Sequence, residues 1–267
     1  MKKCKICGSS GIIYDRNIQA GSIGELKICG HVEKLCTCGG VPPYQVFGDD
    51  GSPSWCACRS ARIKLERVKH AFRDSQIPRK FLWKFLDDFT QVSDKAQQLI
   101  GIVGIIQGKS PDEKWKDGFY FWGQAGSGKT LIACIMLQEL MIKYGGGGKF
   151  IDLSRQFFQR LRSSFNVTDE SYGHAGHILD ELIEIPFLVV DDFGIQRNTE
   201  WESEMLYNLI DSRYADERPT IITSNIPADD LKTVAHGRIY SRIQEMCKII
   251  HVDLPDYRER FKQTIEL

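Results

Sequence analysis

Apolar positions in the first 58 residues follow no continuous period. Glycines, cysteines and turn pairs such as Gly39-Gly40, Pro42-Pro43 and Asp50-Gly51 interrupt them. A stretch of this kind needs something besides a hydrophobic core to hold it together. The pattern changes at residue 59. Ala61, Leu65, Val68 and Phe72 recur at spacings of four, three and four, which predicts one amphipathic helix over 59–74. Arg62, Lys64, Arg67 and Lys69 fill its other faces. Pro78 closes that element, and an aromatic segment from Phe81 to Phe89 leads onward.

Beyond about residue 95, strand patterns alternate with helix patterns, as a parallel sheet requires. Residues 95–107 read as a helix and Gly118 to Trp122 as a short apolar strand, followed by a helix from Leu131 to Tyr144. Gly145 to Gly148 form a turn before a strand from Lys149 to Leu153. A helix carrying Phe157, Leu161 and Phe165 is expected next, then another from Ile178 to Ile185. Phe187 to Val190 is wholly apolar and so predicts an interior strand covered on both faces. Trp201 to Tyr214 reads as a helix, Thr220 to Thr223 as a buried strand and Ile249 to Val252 as a last strand. The fold class is therefore α/β, and there are no internal repeats.

The 267 residues suffice for one α/β core and one small extra module. At 42% hydrophobic and 26% charged, the composition excludes a low-complexity or disordered chain. No apolar run approaches the ~18 residues of a membrane span. The first residues, Met-Lys-Lys-Cys-Lys-Ile-Cys, lack the apolar stretch of a secretory signal, so a cytoplasmic location is expected. Net charge is zero but uneven: residues 1–80 hold 14 Lys and Arg against 7 Asp and Glu, and the rest 21 against 28. That asymmetry fits two units with different partners, or a basic surplus that offsets metal-bound thiolates.

Gly123-Gln124-Ala125-Gly126-Ser127-Gly128-Lys129-Thr130 matches G-x-x-x-x-G-K-[ST], with an apolar strand before it and a helix, opening at Leu131, after it. Glycines let backbone N–H groups turn inward around phosphate oxygens, and the helix N-terminus adds partial positive charge. Lys129 is the candidate for the β and γ phosphates of ATP, and the Thr130 hydroxyl for Mg²⁺. Phe187-Leu-Val-Val-Asp191-Asp192 is a buried strand ending in two acids, which belong beside a phosphate loop at the C-terminal sheet edge. Asp191 is expected to hold Mg²⁺ through water, and Asp192 to orient or deprotonate the attacking water. Asn225, ending Thr220-Ile-Ile-Thr-Ser-Asn, is the candidate to position that water, although Ser-Asn-Ile-Pro is also ordinary turn chemistry.

These motifs, with Gly237-Arg-Ile-Tyr-Ser-Arg242-Ile-Gln-Glu-Met and Asp256-Tyr-Arg258, resemble AAA+ ATPases of the DnaC/DnaI helicase-loader type over most of residues 75–267. The likeness extends to a Cys-x-Cys-Arg followed by a basic helix and Ile77-Pro78. The resemblance implies a P-loop AAA+ domain at 81–267, a basic linker helix at 59–80 and a small zinc-binding module at 1–58. It implies ATP-dependent self-assembly, a replicative hexameric helicase and single-stranded DNA as partners, and no membrane. It further makes Arg242 the arginine finger, with Arg238 one helical turn away as second choice. A guanidinium there would neutralise charge on a neighbouring subunit's γ-phosphate. About 25 residues follow Arg242, too few for the helical lid of many AAA+ proteins, though Arg258 could touch nucleotide. Relatives resembling the replication initiator face DNA with an extra helix between Lys149 and Asp191. Arg155, Phe157, Phe158, Arg160, Arg162 and Phe165 interleave cations and rings there, as DNA contacts or, for Phe157, Leu161 and Phe165, as core.

Seven of nine cysteines lie before residue 60. In a cytoplasmic chain that clustering favours Zn²⁺ over disulfides, with short Cys-x(1–2)-Cys knuckles supplying ligands in pairs. By resemblance the ligand set is Cys4, Cys7, Cys56 and Cys58. Cys29, His31, Cys36 and Cys38 could form a second site, so the zinc count stays open. Cys134 and Cys247 lie in apolar surroundings and read as packing residues. The function expected is an ATP-dependent loader of a replicative helicase. The alternatives are an IstB-like transposition helper ATPase, or a zinc-dependent nucleic-acid-binding protein whose ATPase has decayed.

Overall fold

A computed structural model describes residues 4–15, 25–88, 94–153, 157, 158, 161, 175–194 and 199–256. The chain opens with two short antiparallel hairpins. Strands β1 (Ile12–Asp15) and β2 (Glu25–Ile28) pair with Ile12 opposite Ile28, and helix α1 (Gly30–Glu33) follows. Strands β3 (Gln45–Phe47) and β4 (Pro53–Trp55) pair with Gln45 opposite Trp55. The turn between them is closed by Asp50, whose Oδ1 accepts from the Ser52 N–H at 3.0 Å.

Helix α2 (Arg59–Asp74) has the predicted length and buries the predicted stripe, Ala61, Leu65, Val68 and Phe72. That stripe is shared. Ile12, Leu26 and Ile28 of the first hairpin lie in the same apolar cluster as the stripe and as the helix that follows the glycine loop. Lys64 reinforces the junction by donating to the carbonyls of Ser10 and Lys143, and burial pushes its amine down to about 8. The aromatic segment joins in as well, Trp83 against Phe72 at 4.7 Å and Phe85 against Tyr14 at 4.4 Å. The glycine-rich N-terminal stretch therefore rests on a hydrophobic contact that its own pattern does not reveal.

Helix α3 (Asp94–Gly108) leads to a five-stranded parallel sheet: β5 (Gly118–Trp122), β6 (Gly148–Asp152), β7 (Phe187–Phe193), β8 (Thr220–Ser224) and β9 (Cys247–His251). The strand order is β6-β7-β8-β5-β9. Crossovers run through α4 (Lys129–Tyr144), α5 (Ala175–Glu184), α6 (Glu200–Ala215) and α7 (Arg238–Met246). Alternate strand residues feed opposite layers. Phe119, Phe121, Val189 and Ile221 face α2, α3 and α4, whereas Tyr120, Leu188, Val190 and Ile222 face α5, α6 and α7. Both faces are covered, which is why these strands read as continuous apolar runs. Cys134 and Cys247 are buried. Among the described residues no helix is long and apolar enough to cross a membrane.

Arg213 of α6 is wholly buried. Its guanidinium donates to the carbonyls of Leu182, Ile183, Ile185 and Pro219 and to Thr220 Oγ1, joining the end of α5 to the start of β8. Burial pulls its pKa down to about 9.

Candidate nucleotide site

The sheet order explains the site. β5 ends at the glycine loop and β7 carries the acids, with β8 between them, so the C-terminal residues of β8 fall between loop and acids. The loop can follow its path only with glycine. At Gly123, with φ of 152°, a Cβ would lie 2.4 Å from the Val252 carbonyl oxygen, and Gly126 adopts φ of 78°. Gln124 and Ala125 are exposed, Gly128 caps α4, and Leu131 lies in its first turn. Lys129 is buried, its Nζ donating to the carbonyls of Gly123 at 2.9 Å and Gln124 at 2.7 Å.

The Thr130 hydroxyl donates to Asp191 Oδ1 at 2.9 Å, which brings the two expected Mg²⁺ ligands into contact. Thr223 donates to the same oxygen and accepts from the Asp192 N–H at 3.2 Å. Between Val190 and Phe193, the pairing of β7 with β8 sets Asp191 and Asp192 against Thr223 alone, a β-bulge with Asp192 at φ of 56°. The bulge re-aims two successive carboxylates that a regular strand would send to opposite faces. Burial pushes the Asp191 carboxyl up to about 6; the Thr223 and Thr130 hydroxyls oppose the rise and the Asp192 charge adds to it. A buried carboxylate held this way favours a cation beside it.

The site fits a magnesium–triphosphate on two observations. Thr130 and Asp191 are already close enough to share one ion. Ser127 is 1% exposed, and its Oγ has no hydrogen-bond partner among the described residues, as suits a hydroxyl reserved for a phosphate oxygen.

Thr223 joins the site through its two bonds to Asp191 and Asp192, although the strand-end pattern in the sequence points only to Asn225. Asn225 is exposed at the end of β8. Asp256 is a further neighbour of the loop that no sequence motif marks: a Cβ on Gly126 would lie 1.8 Å from its Oδ1. Arg242 pairs through Nε with Asp211 Oδ1 at 2.7 Å and lies over the Tyr214 ring. Arg238 is exposed and lies over Tyr207, with no ion pair among the described residues. Phe157, Phe158 and Leu161 are buried, so both rings serve as core; Arg155, Arg160, Arg162, Phe165 and Arg258 lie outside the described residues. A groove of about 550 Å³ lined by Tyr44, Arg67, His70 and Gly145 to Gly147 lies elsewhere, between α2 and the turn after α4.

The cysteines group differently from the expected set. Cys4 and Cys7 meet Cys29 and His31, whereas Cys56 and Cys58 meet Cys36 and Cys38. The set Cys4, Cys7, Cys56 and Cys58 is not brought together, because each knuckle is closed by the chain nearest to it. Both groups offer donors suited to zinc.

The sheet order, phosphate loop and bulged acids define a P-loop nucleotide-binding domain of AAA+ architecture. The chain belongs to the family described as IstB-like ATP binding protein, whose model matches residues 65–264. It is 23% identical over 126 residues to the replicative helicase loader DnaC of Escherichia coli (strain K12), covering 47% of this chain and 49% of that protein. The chain thus spans about half the length of the curated relatives it matches. Its fold is similar to a crystal structure of the DnaC helicase loader, with TM-score 0.56 and 24% identity over 65% of this chain and 99% of that one. The crystal structure of DnaI gives TM-score 0.57 and 22% identity over 71% and 98%.

Proposed function

We propose that the protein is an ATP-driven switch that binds a hexameric replicative helicase and helps to place it on single-stranded DNA. The observation that carries this reading is the contact of the phosphate loop with Asp191 through Thr130, in a domain shaped like the named helicase loaders. Backbone N–H groups of Gly123 to Thr130 cradle the phosphates and Lys129 neutralises them. Thr130 and Asp191 hold Mg²⁺, which when bound spreads the charge that builds on the phosphate oxygens. Asp192 orients the attacking water, with Asn225 at the neighbouring strand end to help position it.

An arginine from a second copy completes the site on ATP-dependent self-assembly, so an isolated chain hydrolyses ATP slowly. Arg242 is engaged with Asp211 and Tyr214 in its own chain. Exposure supports Arg238 as the finger. The burial of Phe157 and Phe158 assigns those two rings to the core, and the arginines of that segment supply the charge that supports DNA contact. A cytoplasmic location follows from the same reading.

A second reading, a transposition helper ATPase of the IstB type, is compatible with the family description, IstB-like ATP binding protein; the cysteine module argues against it. Co-purification with the host's hexameric helicase in ATP and in ADP separates the two. The loader reading expects a complex with the helicase in ATP that transfers it to circular single-stranded DNA. No association in either nucleotide contradicts it, and capture of a transposase instead would establish the second reading.

A further inference from the structure

Each cysteine group straddles its own hairpin. Cys4 and Cys7 precede β1–β2 and Cys29 and His31 follow it; Cys36 and Cys38 precede β3–β4 and Cys56 and Cys58 follow it. An antiparallel pair returns the chain to where it began, so the second ligand pair arrives beside the first. The order along the chain is therefore tandem, not interleaved, and the insertion between the outer knuckles supplies one new pair to each.

The spacing of the donor atoms is that of a coordination shell. With Zn–S of about 2.3 Å, two ligands of a tetrahedral zinc stand about 3.8 Å apart. Cys4 and Cys29 sulfurs are 3.9 Å apart, Cys36 and Cys38 3.8 Å, and Cys38 and Cys58 3.6 Å, with Cys7 Sγ 3.6 Å from His31 Nδ1. In each group the ligand atoms all lie within 4.8 Å of one another. A disulfide needs about 2.0 Å, and all nine cysteines are free.

We propose that the N-terminal module binds two zinc ions in tandem, a Cys₃His site at Cys4, Cys7, Cys29 and His31 and a Cys₄ site at Cys36, Cys38, Cys56 and Cys58. The surroundings match the charge of the Cys₄ site. Four thiolates and one Zn²⁺ carry a formal −2, and the Arg62 guanidinium lies against the Cys58 and Cys36 sulfurs, one turn into α2. The Thr37 N–H donates to Cys56 Sγ at 3.4 Å. The Cys₃His site carries a formal −1 and has a neutral imidazole in place of the fourth sulfur. The Cys₄ site ends at Cys58, the N-cap of α2, so its ion fixes the start of the helix that packs on α4.

The test is metal content per chain, by inductively coupled plasma mass spectrometry on the full-length protein grown with zinc. The proposal expects two zinc ions per wild-type chain. Cys4→Ser/Cys7→Ser and Cys56→Ser/Cys58→Ser should each retain one. After cobalt substitution, the first variant should show a four-sulfur spectrum and the second a three-sulfur, one-nitrogen spectrum. A single zinc in the wild-type chain, lost entirely in either variant, would overturn the proposal in favour of one site built from the outer knuckles. No zinc at all would overturn it too. Because wild-type stoichiometry decides by itself, poor folding of a variant does not blunt the test.

Discussion

Asp191→Asn is expected to make the nucleotide-free protein more stable, although it removes a residue central to the site. Asn keeps an oxygen at Oδ1 that can accept from Thr130 and Thr223, so the local geometry survives. What it removes is a buried charge. Burial raises the Asp191 carboxyl from 3.8 to about 6, and each tenfold change in proton affinity is worth ~1.4 kcal/mol, so the ionised form costs the fold up to ~3 kcal/mol. The folded chain holds this proton more tightly than the unfolded one. The stability it contributes is therefore complete below about pH 4 and lost as pH rises through about 6. Urea unfolding followed by circular dichroism should show the Asn variant more stable by up to ~3 kcal/mol at pH 8 and by about half that at pH 5. A variant less stable than wild type at pH 8, or an advantage that does not change with pH, would show that the Asp191 charge does not burden the fold.

Three further outcomes follow from other contacts. Arg213→Met should cost ~3–5 kcal/mol, since it strands four carbonyls and a hydroxyl; a thermal melt should fall by about 10 °C, and a fall under ~2 °C would contradict the role of that guanidinium. Gly126→Ala forces a Cβ into the left-handed region and against Asp256. Such strain costs ~1–3 kcal/mol, so fluorescent-nucleotide affinity should drop about tenfold, and unchanged affinity would contradict the loop geometry. Thr223→Val removes a hydroxyl that, against burial, holds the Asp191 carboxyl down. The acidic limb of MgATP binding should therefore move to higher pH, and a fixed limb would remove Thr223 from the site.

Strand Gly118–Trp122 and the helix over 59–74 are legible in the sequence because both are local patterns, an apolar run ending in glycine and a stripe at helical spacing. The twin aspartates are legible for the same reason: an apolar strand announces its own end. Thr223 was not, because its role depends on β8 lying between β5 and β7 and on a bulge two strands share. The cysteine grouping was hidden for a related reason. Knuckle spacing shows which cysteines act in pairs, but which pairs meet is decided by where each hairpin returns the chain. Arg242 shows the limit on the charged surface, since its partner Asp211 lies 31 residues away on another helix.

The glycine loop and Asp191 are expected to grip a magnesium–triphosphate together. Isothermal titration of MgATP into the wild-type chain and Lys129→Ala tests it most directly. One equivalent should bind to the wild type, with the heat abolished by Lys129→Ala and diminished when EDTA removes magnesium. No heat with the wild-type chain, or the same isotherm for both proteins, would rule out that grip.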